Sequence, residues 1–113
     1  MPPMNEATVK KTLGLLSLCR RAGKLCTGME AVLEKAGRGE ATLILLAEDL
    51  SPRSAERLRN RLPEDIPVRS LPCTMQTLSA VTGKAAGIVA VCDENFACGI
   101  RAMLSDDEED LDR

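Results

Sequence analysis

The feature that most constrains the fold is a run of apolar residues near the middle of the chain. Residues 41–47 read ATLILLA, and Thr42 is the one polar residue among them. A run without alternation of polar and apolar residues is typical of a β-strand that is covered on both faces. A second run of this kind, GIVAV, lies at residues 87–91. The two runs predict a small sheet with helices packed on both of its sides.

Helix-capping residues divide the rest of the chain. Residue types that cap helices precede segments with helically spaced apolar residues at Asn5, Thr27, Ser51, Thr74 and Asp93. Thr27 and Glu30 match the S/T-x-x-E pattern of a capping box at the start of the second helix. Short strands are predicted at residues 24–26 and 66–71. This order of elements predicts a three-layer α/β/α sandwich around a small, mixed, four-stranded sheet.

The amino-acid composition excludes several kinds of active site. The chain has 113 residues without His, Trp or Tyr, and Phe96 is its one aromatic residue. Without His there is no Ser-His-Asp or Cys-His site and no zinc site of mixed Cys and His ligands. Without further aromatic side chains there is no platform on which single-stranded bases stack. We therefore expect a protein that is not an enzyme and that holds no metal or cofactor.

Two groups of residues remain as candidates for chemistry. Cys26 and Cys73 are the thiols nearest to a cation or a helix start, although a small apolar side chain is the favoured role of every cysteine here. Glu48 and Asp49 follow the central apolar strand, where ligands often bind in α/β sheets. They are interpreted either as metal ligands or, preferably, as a solvated strand end next to a helix cap.

The cysteines and the start of the chain predict a cytoplasmic protein. The five cysteines are odd in number and lack C-x-x-C spacing, which is typical of reduced thiols rather than of a disulfide framework. Residues 1–6 lack the basic flank and the apolar run of a signal peptide. No apolar stretch has the length of a membrane span, so we expect no membrane partner.

Positive and negative charges are unevenly distributed along the chain. Residues 1–104 carry 14 basic and 11 acidic side chains, whereas residues 105–113 carry six acidic and one basic. We predict a single domain over residues 1–104 and a disordered acidic tail over residues 105–113. The tail either keeps the protein soluble or competes with an anionic ligand for the basic face of the domain.

Basic residues cluster at one predicted helix end. Arg20, Arg21 and Lys24 come just before the helix that opens at Gly28, where free backbone N–H groups favour anions such as phosphates. The other interpretation of Arg20 and Arg21 is that they complement the dipole of their own helix. A further basic face, on the third helix, is interpreted as a solvated helix exterior; it consists of Arg53, Arg57, Arg59 and Arg61.

Three blocks of sequence stand out: RRAGKL at residues 20–25, LLAED at residues 45–49 and GKAAGIVAV at residues 83–91. In this order they resemble the L7Ae/L30e superfamily of small ribosomal proteins. The resemblance spans about residues 5–104 and includes the stand-alone bacterial members of the YlxQ type. It implies an α/β/α sandwich that binds structured RNA, typically a kink-turn.

The resemblance also implies two places that contact RNA. One is the start of the second helix, whose residues read sheared G·A pairs in the RNA major groove. The matching positions are Gly28, Met29, Glu30 and Ala31, with Lys24 ahead of them and Arg20 and Arg21 at their flank. The other is the loop at residues 83–87, which packs against an extruded nucleotide. Its matching positions are Lys84, Ala85 and Ala86.

The second helix departs from the pattern of strong kink-turn binders. Those binders carry Asn-Glu and then Lys three residues on, whereas this chain has Glu30, Ala31 and Glu34. The change predicts binding through RNA shape and phosphate contacts rather than base readout. The expected function is that of a non-enzymatic RNA-binding protein of kink-turn-like or ribosomal RNA, associated with the ribosome or translation, with no DNA partner. The alternative is a protein-interaction adaptor on the same fold, with weak or lost RNA affinity and a ribosomal or other protein as partner.

Overall fold

The structure, a computed structural model, describes residues 6–84 and 86–112, and the side chains of residues 7–84 and 86–104. Its elements are α1 (Glu6–Arg21), β1 (Leu25–Thr27), α2 (Met29–Gly37), β2 (Leu43–Leu46), α3 (Pro52–Arg61), β3 (Val68–Ser70), α4 (Met75–Thr82), β4 (Ile88–Val91) and α5 (Glu94–Asp112). This is the predicted order of helices and strands. The predicted cap Asn5 lies outside the described residues.

The four strands form one mixed sheet in the order β1-β4-β2-β3. Strand β4 pairs antiparallel with both β1 and β2, and β2 pairs parallel with β3. Every residue of the two central strands, β2 and β4, is buried. The prediction that the two apolar runs are covered on both faces is therefore confirmed.

Helices cover the sheet on both sides and form a separate apolar cluster on each. Leu43 and Leu45 of β2 pack with α1, α4 and α5, whereas Ile44 and Leu46 face α2 and α3. Because successive side chains of a strand point to opposite faces, one short strand supplies both layers of the core. Each fully buried Leu or Ile contributes about 1.5–3 kcal/mol to folding. The predicted three-layer α/β/α sandwich is confirmed.

Three of the predicted helix caps are present. Side-chain oxygens of Ser51, Thr74 and Asp93 accept hydrogen bonds from backbone N–H groups two or three residues further on, at 2.8–3.2 Å. Each bond satisfies a donor that the helix itself leaves unpaired. These caps define where α3, α4 and α5 begin.

The predicted capping box at the start of α2 is wrong. Thr27 is the last residue of β1 and pairs with Val89, so the sheet fixes its backbone in an extended conformation. The N-cap is Gly28, and α2 has no side-chain cap hydrogen bond. Glu30 is therefore the second helical residue, not the third, and cannot close a box with Thr27.

Helix α5 continues further than the sequence predicts. It runs from Glu94 to Asp112, so the backbone of residues 105–112 is helical where a disordered tail was expected. Residues 101–112 contain no Gly or Pro that would end a helix, which accounts for the continuation. Among the described residues, no helix is long and apolar enough to span a membrane.

Candidate functional site

A groove of about 330 Å³ lies where β1, the start of α2 and the end of α4 meet. It is lined by Arg20, Leu25, Cys26, Thr27, Ala31, Thr82 and Lys84. Three of the predicted site residues, from distant parts of the chain, thus share one groove: Arg20, Ala31 and Lys84. The other lining residues were not predicted to contact RNA.

The start of α2 is shaped by Gly28. Its backbone has φ 93 and ψ 149, a conformation that is essentially restricted to glycine. The Gly28 N–H donates to the Ile88 carbonyl at 2.9 Å, and the Gly28 carbonyl accepts the Val32 N–H at 3.0 Å. Gly28 is thus bonded to β4 through its N–H and to the first turn of α2 through its carbonyl. Because no side chain caps α2, its first backbone N–H groups are not occupied by a cap, and the helix dipole favours an anion there.

Arg20 reaches across from α1 to the end of α4. Its guanidinium Nη1 donates to the Val81 carbonyl at 3.2 Å. A methyl group on Gly83 would lie 2.7 Å from Nη2, so the guanidinium rests against the glycine backbone. Arg20 thus lies in the last turn of its own helix and also complements the carboxyl end of α4. A guanidinium has five N–H donors, and the remaining ones are available beside the groove.

The turn between α4 and β4 is held by Thr82. This side chain is buried, and its Oγ1 donates to the Lys84 carbonyl at 2.9 Å and accepts the Lys84 N–H at 3.4 Å. Gly83 has φ 81 and donates its N–H to the Ser79 carbonyl at 2.8 Å, which ends α4. The exposed Lys84 side chain is thus attached to a fixed backbone. A Thr whose hydroxyl bonds two residues on is a local signal that sequence analysis could have used.

The other predicted site residues lie around the groove rather than in its lining. Arg21 and Lys24 are exposed at its flank, and Met29 is half-buried against the core on the α2 side. Ala86 is half-buried in the α4–β4 loop. The predicted contact at Ala85 lies outside the described residues.

Glu30 and Glu34 of α2, which stand where strong kink-turn binders carry Asn and Lys, each lie near a cation. Glu34 forms an ion pair with Arg38 at 3.0 Å. Glu30 is 86% exposed, and its carboxylate lies 3.9 Å from the Arg61 guanidinium of α3. Both pairs are exposed to solvent and therefore weak. The negative charge next to the groove is reduced but not removed.

Glu48 and Asp49 form a strand end next to a helix cap. The Asp49 carboxylate accepts the Met75 N–H at 2.8 Å, at the first residue of α4. Within the part of the chain that the structure describes, no group of three or more His, Cys, Asp or Glu side chains could hold a metal ion. The arrangement fits the helix-cap interpretation of this pair.

Burial makes most of the thiols poor nucleophiles. It raises the pKa of Cys19 and of Cys26 to about 11 and also raises the pKa of Cys73 and Cys92. Neighbouring groups add to the effect: the Cys92 thiol for Cys26, and the Glu48 carboxylate for Cys73. Because the thiolate is the reactive form, neither predicted thiol candidate is activated.

We expect slow thiol labelling of the folded protein at neutral pH. A pKa near 11 leaves about one hundredth of the thiolate that an unperturbed thiol has. Cys98, the exposed thiol, should react first, the half-buried Cys26 much more slowly, and the buried Cys19 only on unfolding. Time-resolved maleimide labelling followed by peptide mass spectrometry measures each rate. Fast labelling of Cys26 in the folded protein would contradict this expectation, and urea-unfolded protein provides the reference rates.

Comparison with known proteins identifies the family. A family model described as the ribosomal protein L7Ae/L30e/S12e/Gadd45 family matches residues 10–100. The chain belongs to this family. The resemblance inferred from the sequence blocks is therefore confirmed.

Two bacterial relatives carry the name RNA-binding protein YlxQ. The one from Enterococcus faecium is 26% identical over 105 residues, covering 89% of this chain and 98% of the relative. The one from Bacillus subtilis (strain 168) is 30% identical over 95 residues, covering 80% of this chain and 91% of the relative. The L7Ae-family relatives thus match this chain over nearly their full lengths.

Solved structures of similar proteins have the same fold. A Bacillus halodurans C protein of unknown function superposes with a TM-score of 0.77 at 30% identity, covering 84% of this chain and 97% of that chain. A Giardia lamblia 15.5kD RNA binding protein superposes with a TM-score of 0.68 at 14% identity, covering 94% and 92%. At such low identity the second comparison demonstrates a common fold alone.

Proposed function

We propose that the chain is a non-enzymatic protein that binds structured RNA of the cytoplasm, of kink-turn or ribosomal type. The observation that carries the proposal is the groove beside Gly28. It joins an uncapped helix N-terminus to a cation from α1, Arg20, and a cation from the α4–β4 loop, Lys84. Helix N-termini and guanidinium groups are favourable sites for phosphate oxygens. The RNA-binding names of the YlxQ relatives support the same conclusion.

The proposed recognition depends on shape and phosphates. Ala31 in the groove offers a methyl group where strong binders carry a carboxylate, so few base edges are read there. Arg20 and Lys84 contact phosphates of the RNA backbone, and both are positioned by the end of α4: Arg20 through its bond to Val81, and Lys84 through the turn at Thr82. Contacts of this kind position an RNA without carrying sequence information directly.

Removing one basic side chain at the groove is expected to weaken RNA binding and its salt dependence. Lys24→Ala and Lys84→Ala should each reduce the slope of log affinity against log salt by about one unit. The measurement is fluorescence anisotropy of a labelled kink-turn RNA at two salt concentrations, beside an unkinked duplex. Lys11→Ala is the matched control, because this exposed lysine lies on α1 more than two turns before Arg20. Unchanged affinity in both groove variants would overturn the site assignment.

The same measurement tests the second candidate function, a protein-interaction adaptor. The observation that favours an adaptor is the Glu30 carboxylate, which is exposed at the second residue of α2 and would repel a phosphate there. An adaptor predicts equal, weak and strongly salt-dependent binding to kinked and unkinked RNA. A preference for the kinked RNA supports the RNA-binding proposal instead.

A further inference from the structure

Helix α3 presents a strongly basic outer face. Its ten residues include four arginines and one glutamate, and all four arginines are exposed. Leu58 is buried, and Ala55 and Leu62 pack with it against the sheet, so the apolar side of the helix is fully used by the fold. The arginines are therefore not needed to attach α3 to the domain.

The positive charge of this face is largely unpaired. Within the described residues, the ion pairs of α3 are limited to that between Arg61 and Glu30, at 3.9 Å. The cations at the end of α2 are paired with nearby acids, Lys35 with Glu40 and Arg38 with Glu34. The chain as a whole has a formal charge of −2, so the basic face is a local feature and not a consequence of overall composition.

Three of the arginines form a stripe that leads to the groove. Arg53, Arg57 and Arg61 are spaced four residues apart, which places them on neighbouring positions of one helix side over about 12 Å. The stripe ends beside Glu30, the second residue of α2. Arg59 lies on the other flank of the helix, in a separate cleft with Leu62, Pro63 and Ile66. The stripe thus reaches the start of α2, which borders the groove through Ala31, whereas Arg59 faces another cleft.

We propose that Arg53, Arg57 and Arg61 bind the phosphate backbone of a double-helical stem of the RNA held in the groove. The inference rests on the proposed function and extends it to a second contact surface. Guanidinium groups match phosphate oxygens through paired hydrogen bonds. A protein partner would bury an apolar centre, but the outward residues of α3 beside the stripe, Glu56 and Asn60, are polar. Charge complementarity, and the contact of Arg61 with the start of α2 beside the groove, therefore favour RNA as the occupant.

The test uses RNAs with one kinked core and stems of two lengths. The short form ends close to the core, and the long forms extend one stem or the other by about one helical turn. Arg53→Gln/Arg57→Gln should weaken binding of at least one long form by about threefold to tenfold and reduce its salt slope by about two units. Binding of the short form should stay as in the unmodified chain. Arg57→Gln and Arg59→Gln are the matched single variants, of which only the first should weaken binding.

The outcomes separate the stripe from the groove. If Lys84→Ala weakens every RNA while Arg53→Gln/Arg57→Gln weakens none, the stripe proposal is overturned and the proposed function stands. Equal losses for short and long RNAs, or an equal loss for Arg59→Gln, would mean generic charge attraction and would also overturn it. If the unmodified chain does not prefer kinked RNA over a duplex, both the proposed function and the stripe proposal are overturned. Urea unfolding should give unchanged midpoints, because Arg and Gln have similar helix propensities.

Discussion

Gly83→Ala is expected to lower both the stability of the fold and the affinity for RNA. Gly83 ends α4 with φ 81, a left-handed conformation that costs an L residue about 1–2 kcal/mol. The added methyl group would also lie 2.7 Å from Nη2 of Arg20, so the guanidinium has to move. Moving it breaks the hydrogen bond to the Val81 carbonyl and takes the cation away from the groove.

The expected loss of RNA affinity is about tenfold to hundredfold, since a hydrogen bond to a charged group contributes about 1.5–3 kcal/mol. Gly39→Ala is the matched control. Gly39 has φ 75 at the end of α2, and a methyl group there would meet no atom within 4 Å. Both variants should lose the free energy of unfolding that backbone strain costs, measured by urea denaturation, and Gly83→Ala should lose more because it also breaks the hydrogen bond between Arg20 and Val81. Gly83→Ala alone should lose affinity for kink-turn RNA, measured by anisotropy.

A double-mutant cycle identifies the cause. In an Arg20→Ala background the guanidinium is already absent, so adding Gly83→Ala should lower RNA affinity no further. The loss of stability from backbone strain should persist in the same background. Retention of full RNA affinity by Gly83→Ala would refute a role for the Arg20 position in binding. A further loss in the double variant would assign the effect to the loop backbone instead.

The layers of the fold could be predicted because two-sided burial is visible locally. The run at residues 41–47 has no polar side from which water could reach it, and β2 is buried at every residue. The ends of the strand depend on pairing instead. Ala41 and Ala47 are buried, but β2 itself covers Leu43–Leu46. Burial can therefore be predicted from the sequence of one segment, whereas the ends and register of a strand depend on the strands with which it pairs.

The start of α2 was predicted incorrectly for a related reason. Thr27 and Glu30 satisfy a local pattern, but the pairing of Thr27 with Val89 draws the threonine into β1. The N-cap position then falls on Gly28, whose φ of 93 lets the chain turn from strand to helix in one residue. Tertiary pairing overrode the local cap signal, and the consequence is an N-terminus that no side chain occupies.

The groove could not be predicted from local sequence patterns, because residues from distant parts of the chain form it. Arg20 and Lys84 are distant in sequence, and only the family resemblance placed them near one site. The structure adds the reason for their proximity, the bond of Arg20 to the last turn of α4. It also adds Thr82, a buried polar residue whose hydroxyl fixes the backbone of Lys84. The positions of basic residues in the sequence predicted a basic cluster near the start of α2, and tertiary contacts determine which cations line the groove.

Restoring the residues of strong kink-turn binders on α2 is expected to increase RNA affinity and selectivity. The positions are Glu30, Ala31 and Glu34. Ala31 lines the groove and the Glu30 side chain is 86% exposed, so both have room for new side chains. Each restored bidentate contact to a base contributes about 1–3 kcal/mol of discrimination. Glu30→Asn/Ala31→Glu/Glu34→Lys should therefore bind a kink-turn RNA about tenfold to hundredfold more tightly than the unmodified chain.

The triple variant separates into two parts with different expected effects. Glu30→Asn/Ala31→Glu leaves the net charge unchanged, so it should raise the preference for kinked over unkinked RNA without changing the salt slope. Glu34→Lys reverses a charge and should strengthen binding to both RNAs, with a steeper salt dependence. It also breaks the ion pair with Arg38, an exposed pair at 3.0 Å that contributes about 0.3–0.5 kcal/mol. Stability should therefore change little.

Glu30→Asn/Ala31→Glu is the decisive variant, because it leaves the net charge unchanged and its effect cannot come from generic attraction between the protein and phosphates. Anisotropy titrations of kinked and unkinked RNA give the preference directly, and Glu34→Gln separates the removal of an anion from the gain of a cation. An unchanged preference in Glu30→Asn/Ala31→Glu would mean that the start of α2 does not face base edges. In that case the contacts of this chain with RNA would be confined to phosphates, and Arg20 and Lys84 would be the residues that position it.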